Sequence, residues 1–258
     1  MNSKMVDVID ENFNLHASKI PDLTEGMKVF KSSGISYVDS GLSCDTFNII
    51  HINDGGKVLT ENIIEAVNYY RTRQLACCLW ICRENLSENV KAAIDRLNLK
   101  QQNLEPGMLL NLDLYKPIQN TNHERAIIGN DVKLIQDYAD VVAKHWTPAD
   151  LNVLDYYNKT ASTILNCNAV KYSIYYQAKK PVSVIELFSS NDKTVGLYGL
   201  ATLESYRGKG IGTALLTFAL NKCKELGFSN VILQASEDGF GIYKKLGFKI
   251  YTEYYEFS

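Results

Sequence analysis

Tyr206-Arg207-Gly208-Lys209-Gly210-Ile211-Gly212-Thr213 is the stretch on which the reading of this chain turns. Ahead of it lies the apolar run Val195 to Leu203, a predicted strand. Behind it Gly210 to Leu226 places Ile211, Leu215, Phe218, Cys223 and Leu226 at helical spacing. Three alternate glycines let the backbone approach a ligand closely and turn its N–H groups to one side. The helix adds its free N-terminal donors and roughly +0.5 of a charge. Such a turn suits a phosphate or pyrophosphate. Arg207 and Lys209 add positive charge at the rim, and Arg207 is one of two arginines between positions 121 and 258. Charge-assisted hydrogen bonds of this kind contribute about 1.5–3 kcal/mol each.

Other phosphate-binding turns fit less well. A Walker loop needs GxxxxGK[ST], but Gly208-Lys209 is followed by Gly210, and Leu203 stands at the first glycine position. A dinucleotide turn needs GxGxxG, and Thr213 occupies its last glycine. The acid that would hold a ribose is also missing, because the next strand ends Leu233-Gln234-Ala235. A tight turn that merely packs glycine against a helix is the remaining alternative.

Working outward, Ala126 to Ile128 predicts a short strand and Val132 to Trp146 a helix with Leu134, Ile135, Tyr138 and Val142 inward. Tyr172 to Gln177 and Val182 to Phe188 read as a hairpin around Ala178-Lys179-Lys180-Pro181. Val231 to Ala235 is a strand, Gly239 to Leu246 a short helix, and Phe248 to Phe257 the closing strand. The segment Thr147 to Asn158 carries no recognisable code. Earlier in the chain, Phe47 to Ile52 predicts a strand, and Thr60 caps a helix bearing Ile63, Ile64, Val67 and Tyr70. Cys77 to Cys82 is a buried strand, Ser87 caps a helix bearing Val90, Ile94 and Leu97, and Met108 to Leu114 is strand again. Between Leu114 and His123 the pattern turns polar around Pro117. That sets the expected domain boundary, with an α/β N-terminal domain over 1–120 and a second domain over 121–258. Strands alternating with helices imply an α/β or α+β fold with helices packed on a sheet. Both halves end as strand, glycine turn, helix, strand, helix, strand, an order that admits residues 1–120 as a degenerate copy of the second half.

Arg207-Gly208-Lys209-Gly210-Ile211-Gly212 resembles the [QR]-x-x-G-x-[GA] signature of the GNAT acetyltransferases. Gly199 to Tyr206 resembles the strand that leads into it, with Glu204 where a proline is usual. Ile242-Tyr243-Lys244-Lys245-Leu246-Gly247-Phe248 is similar to the family's Y-x-x-x-G-F ending. The resemblance implies a mixed central sheet with flanking helices, splayed after its fourth strand, and acetyl-coenzyme A as cosubstrate in that cleft. It further implies that the backbone of Leu200, Ala201 and Thr202 pairs with the pantetheine arm. The amides of Gly208, Lys209, Gly210, Ile211, Gly212 and Thr213 then hold the pyrophosphate, with the Arg207 charge at the rim. Tyr243 falls where the family often protonates the departing thiolate; a Tyr packed on Phe248 is the alternative.

Acyl transfer to an amine also needs a base. Val195 to Leu203 holds no carboxylate. Glu186, an acid within the apolar run Ile185-Glu186-Leu187, is the candidate, against an outward-facing strand residue. Glu237 and Asp238 read as helix caps, and His145 and Trp146 lie where the family meets its acceptor. The expected activity is acetyl transfer from acetyl-coenzyme A to an amine acceptor, a small molecule. The alternative is a coenzyme A-binding module without catalysis, serving regulation or assembly.

Charge and composition bound the rest. The formal net charge is −2, and by count it divides into −3 for residues 1–120 and +1 for 121–258. Neither half is basic enough to suggest nucleic acid as a partner. No run approaches the roughly 20 apolar residues of a membrane span, and no apolar leader follows Met1, so a cytoplasmic location without membrane contact is expected. The six cysteines form no CxxC and no His pair joins them, so no metal site is expected and reduced, packed thiols are.

Overall fold

The computed structural model describes residues 2–117 and 125–258. Among them are seven α-helices and eleven β-strands, a mixed α/β fold. The chain divides into two compact units. The first comprises Met1–Met108, Gln234–Phe240 and Ile250–Ser258, and the second Leu109–Leu233 and Gly241–Lys249. The expected boundary at 120/121 falls on residues 118–124, outside the described residues.

In the first unit, α1 (Asn2–Asp22) precedes the hairpin β1 (Lys28–Ser32) and β2 (Ile35–Asp39). Then follow β3 (Ile49–Ile52), α2 (Thr60–Arg71), β4 (Cys78–Cys82) and α3 (Glu88–Leu97), and β5 (Gln101–Asn111) runs on towards the second unit. Strand order is β1-β2-β3-β4-β11, where β11 (Lys249–Phe257) is the last strand of the chain. β3 lies parallel to β4 with all four of its residues paired, Ile49 to Cys78 through Ile52 to Ile81. β11 lies antiparallel to β4, Tyr254 opposite Cys82. Ile50, Ile52, Ile63, Val67, Tyr70, Leu79, Ile81 and Val90 form one core. By the period of two, His51 points to the opposite face. It is 1% exposed, its Nε2 meets Asp10 Oδ1 at 3.0 Å and its Nδ1 meets Asn14 Oδ1 at 3.0 Å. α1 therefore supplies the polar partners that a buried imidazole requires.

Several boundaries differ from the sequence reading. Residues 45–47 form a 3-10 turn, so β3 starts at Ile49 rather than Phe47. Thr60 is helical rather than a cap: Leu59 is the N-cap residue, and Thr60 Oγ1 donates to Asn89 O. The strand expected from Met108 begins at Gln101, because its first four residues are exposed and polar or isolated and carry no apolar period. Ser87 does cap α3, accepting from Val90 N.

In the second unit, β6 (Ala126–Gly129), α4 (Val132–Ala143) and α5 (Leu151–Leu165) precede the long hairpin β7 (Val170–Gln177) and β8 (Lys180–Ser189). Ala178 and Lys179 both adopt positive φ, 48° and 67°, the backbone of a two-residue hairpin turn. β9 (Thr194–Thr202), α6 (Ile211–Glu225), β10 (Asn230–Gln234) and α7 (Glu237–Lys245) follow. Strand order is β10-β9-β8-β7-β6, with β9 and β10 parallel and the other pairs antiparallel. α5 occupies the segment read as uncoded, and Asp150 caps it by accepting from Asn152 N.

Candidate functional site

β9 is paired unequally along its two edges. Towards β8 it is bonded along its length, Ser189 opposite Val195 and Ser183 opposite Thr202. Towards β10 the pairing covers Thr194, Val195 and Gly196 only. Leu197 to Thr202 therefore runs on beyond its parallel neighbour, with one backbone edge left for another extended partner. Leu200, Ala201 and Thr202 lie on that stretch.

The register on the β8 side carries a bulge. Tyr198 faces Glu186 and Ala201 faces Val184, so three steps on β9 match two on β8. Gly199 is the residue that makes this possible. Its φ is +57°, and a Cβ there would stand 2.0 Å from Tyr138 Oη.

Past β9 the chain makes a 3-10 turn at Glu204–Tyr206 and enters the glycine turn. Gly208 and Gly210 have φ of +71° and +74°, and a Cβ on either would meet nothing within 4 Å. Gly210 is the N-cap of α6 and supplies no side chain to cap it. Among the described residues the amides of Gly208, Lys209 and Gly210 donate to no acceptor of the chain. Exposed amides, two left-handed residues in open space and an uncapped fifteen-residue helix are the requirements of an anion cradle. Gly212 is glycine for a different reason: its Cβ would come within 3.1 Å of Thr202 Oγ1, where α6 packs on β9. Ile211 is buried and anchors the helix start, while Thr213 is exposed on the first turn.

The two cations of the turn are spoken for. Arg207 Nε donates to Thr202 O at 2.9 Å and its Nη2 lies 3.1 Å from His145 Nδ1. Lys209 Nζ donates to Ser205 O at 2.8 Å. Arg207 thus ties the end of β9 to the end of α4 and occupies one carbonyl of the expected pantetheine strand. Both side chains are exposed and can still lend charge to the cradle.

Tyr243 lies in α7 and is 7% exposed. The helix closes on Gly247 at φ +96°, with Phe248 N donating to Tyr243 O and Gly247 N to Lys244 O. This pair of bonds is the Schellman cap, which favours an apolar contact between the two residues that flank it. The Tyr243 and Phe248 rings make that contact, edge to face at 5.7 Å. The Tyr-x-x-x-Gly-Phe spacing is therefore explained by helix termination.

Glu186 is 5% exposed on β8 and accepts a hydrogen bond from Tyr157 Oη at 3.0 Å. Tyr172 is its register partner on β7 and Tyr198 on β9, so the three share a sheet face. α4 brings Tyr138 and α5 brings Tyr156 and Tyr157 to that face. Ser183, three residues back, points to the other face, where its Oγ meets Thr202 Oγ1 at 2.8 Å beneath α6. Glu186 stands out in the sequence, but Tyr156 and Tyr157 do not, because they lie on α5, which begins in the stretch without a recognisable code. Tyr138, Tyr157 and Tyr172 have hydroxyl pKa values raised well above the ordinary, first by burial and then by the charge of Glu186.

Among the described residues no cluster of three His, Cys, Asp or Glu side chains could hold a metal ion. Nor is any helix there long and apolar enough to cross a membrane. Among the described residues, which include all six cysteines, no disulfide is formed.

Residues 136–248 match the acetyltransferase (GNAT) family. No curated protein matches the chain. Among solved structures, a GCN5-related N-acetyltransferase from Kribbella flavida aligns with a TM-score of 0.66 at 11% identity, covering 95% of this chain and 94% of that one. A functionally unknown conserved protein from Staphylococcus epidermidis aligns at 0.66 and 15% identity, covering 92% and 95%. A tandem GNAT protein from the clavulanic acid biosynthesis pathway aligns at 0.57 and 10% identity, covering 91% and 83%. At these identities the likeness is one of fold, and it extends over nearly the whole chain.

Proposed function

We propose, from the premise that residues 136–248 are a GNAT acetyltransferase domain, that the chain moves an acetyl group from acetyl-coenzyme A to an amine on a small molecule. The observation that carries the reading is the open edge of β9 leading into unbonded amides at the start of α6. An extended pantetheine fits the first as an added strand, and a pyrophosphate fits the second. Leu200, Ala201 and the Thr202 amide would take the arm, and Gly208 to Thr213 the phosphates, with Arg207 and Lys209 at the rim.

The reaction joins the amine nitrogen to the thioester carbon and breaks the carbon–sulfur bond. An alkylamine of pKa about 10.4 costs about 4.6 kcal/mol to deprotonate at pH 7, so a proton acceptor is needed. Glu186 is assigned that role. Tyr243 is assigned the hydrogen bond to the departing thiolate; with pKa about 10 against about 8.5 for a thiol, full proton transfer from tyrosine is uphill by about 2 kcal/mol. Its contribution is then stabilisation of the thiolate, which takes its proton from solvent as it leaves.

A second reading rests on Tyr243 being packed on Phe248 and on β9 having no carboxylate: the second unit then binds coenzyme A and serves regulation or assembly without transfer. The experiment that separates the two is a screen of amines and peptides for coenzyme A thiol release, run beside thermal unfolding. Ligand at 100 times its Kd stabilises by about 2.7 kcal/mol, and the melting temperature of the full chain should rise visibly. A rise with no thiol release from any amine favours the second reading. No rise at millimolar acetyl-coenzyme A overturns both.

A further inference from the structure

We propose that His145 is a positioning residue for coenzyme A, holding the Arg207 guanidinium across the end of the open β9 edge. This rests on the coenzyme A reading above. The register fixes the last pairing groups of that edge. Leu203 N donates to Val182 O at 3.0 Å, so in the neighbouring pair, Thr202 opposite Ser183, the backbone groups of Thr202 turn away from β8. They face the side that β10 leaves open after Gly196. The Thr202 carbonyl is already taken, because Arg207 Nε donates to it at 2.9 Å. An extended ligand added along β9 therefore ends its pairing at the Thr202 N–H. The guanidinium stands as the stop, at the point where a pantetheine arm turns towards the amides of Gly208 to Gly210.

A long exposed side chain tethered at one nitrogen keeps much of its rotamer freedom, and a second tether removes it. Arg207 takes part in no ion pair among the described residues. Its Nη2 lies 3.1 Å from His145 Nδ1 instead. A guanidinium only donates, so His145 Nδ1 carries the lone pair and the ring proton sits on Nε2. The choice of partner has a chemical consequence. A carboxylate would hold Arg207 and cancel its charge, whereas a neutral imidazole holds it and leaves the charge for a phosphate. His145 is itself anchored: its N donates to Val142 O at 2.9 Å at the end of α4, and its ring meets Trp146 edge to face at 5.3 Å. Asp150 N donates to Ala143 O at 3.0 Å, which closes the loop that follows. The family resemblance sets His145 beside the acceptor, but its ring nitrogen is spent on the phosphate turn.

Both side chains are exposed, so substitutions there should leave the fold intact, which thermal unfolding checks. One arm of the test needs no ligand. The chain has four histidines, and with nitrogen-15 in their rings His145→Gln identifies the His145 signals. At about pH 8, where an ordinary imidazole is neutral, Arg207→Ala should shift the Nδ1 signal more than the Nε2 signal. An Nδ1 signal indifferent to Arg207→Ala breaks the link and overturns the proposal. In the second arm, calorimetry follows coenzyme A binding to the full chain. His145→Ala should weaken it about three- to tenfold, and His145→Gln, whose Oε1 can accept the same hydrogen bond, should restore most of that loss. Arg207→Ala should weaken it at least as much. Adding His145→Ala to Arg207→Ala should then change affinity by less than about twofold, because His145 acts only through Arg207. In turnover, His145→Ala should raise KM for acetyl-coenzyme A while KM for the amine stays within about twofold. Wild-type affinity in His145→Ala, losses that add in the double variant, or a rise confined to the amine's KM would each overturn the assignment and leave coenzyme A binding standing. A wild-type chain that binds no coenzyme A overturns the cofactor reading, and the role of His145 falls with it.

Discussion

Each unit contains a strand, a turn, a helix and a parallel strand, and the two differ at the points that matter for a nucleotide thioester. In the first unit β3 is paired with β4 over its whole length. In the second, β9 leaves β10 after Gly196 and continues to Thr202. The turn after β3 fills itself: Asp54 Oδ1 accepts from Gly56 N at 3.1 Å and Lys57 N at 3.2 Å, and Asn85 Oδ1 accepts from Gly55 N at 3.1 Å. In the turn after β9 the corresponding amides are left unbonded by the chain. Turn amides of this kind can meet an anion or be filled by the chain's own side chains, and in the first unit Asp54 and Asn85 fill them. The Asp54 carboxyl is held below its ordinary pKa, first by its bond to Lys57, which keeps the plug ionised.

Moving the plug across should have the largest effect. Gly210→Asp puts a carboxylate beside the α6 amides in a space where a Cβ meets nothing, and aspartate tolerates a left-handed backbone better than most residues. Calorimetry on the folded variant should show coenzyme A affinity reduced at least 100-fold, about 2.7 kcal/mol. Wild-type affinity in this variant would mean the turn is a packing feature. Tyr243→Phe comes next, keeping the Schellman contact with Phe248 while removing the hydroxyl. Turnover should fall about tenfold with coenzyme A affinity within a few-fold. Unchanged turnover, under conditions where chemistry limits the rate, would assign Tyr243 wholly to helix termination.

Much of this contrast is legible in the residues. The alternate glycines of 208–212 announce a close-approach turn, whereas Asp54-Gly55-Gly56 offers two adjacent glycines and a negative charge where Arg207 offers a positive one. The long hairpin, α6 and α7 follow from period and turn chemistry. What stays hidden is set by partners distant in sequence. His51 reads as a polar strand residue until α1 covers it with Asp10 and Asn14. Glu186 reads as an isolated acid because Tyr138 and Tyr157 come from two helices, one of them capped by Asp150 in the segment after His145. The return of β11 to pair with β4, 170 and more residues earlier, leaves no local trace at all.

The two units also treat their sheltered acids differently, and this offers a smaller, pH-dependent test. Glu186 has Tyr157 to hydrogen-bond it. Glu105 on β5 is half-buried, and its pKa is raised to about 7, first by burial and then by the charge of Glu256. An acid whose pKa is raised on folding contributes most to stability at low pH, where it is protonated in both states. That contribution is lost as pH climbs from the ordinary carboxyl range to about 7. Glu105→Gln should therefore raise the melting temperature at pH 8 relative to wild type, with the advantage shrinking or reversing at pH 5. An advantage that is the same at both pH values would show that Glu105 is ionised throughout.

The smallest effect is expected where the sequence contrast is loudest. Asp54→Ala removes the plug from the first unit's turn and frees the Gly56 and Lys57 amides, so a reading of the turn alone predicts a second coenzyme A site. The strand beside it argues otherwise. All four residues of β3 are spent on β4, so no edge remains on which a pantetheine arm could be added. The turn is also packed hard against its neighbours: a Cβ on Gly55 would stand 2.0 Å from Asn85 O, and Asn85 Nδ2 holds Ile52 O at 3.1 Å. Two freed amides without a groove leading to them gain an anion little over water. Calorimetry on Asp54→Ala should still give close to one coenzyme A per chain, with turnover within twofold of wild type and a slightly lower melting temperature. A stoichiometry near two would mean that the carboxylate, rather than the closed β3–β4 ladder, is what keeps the first unit empty.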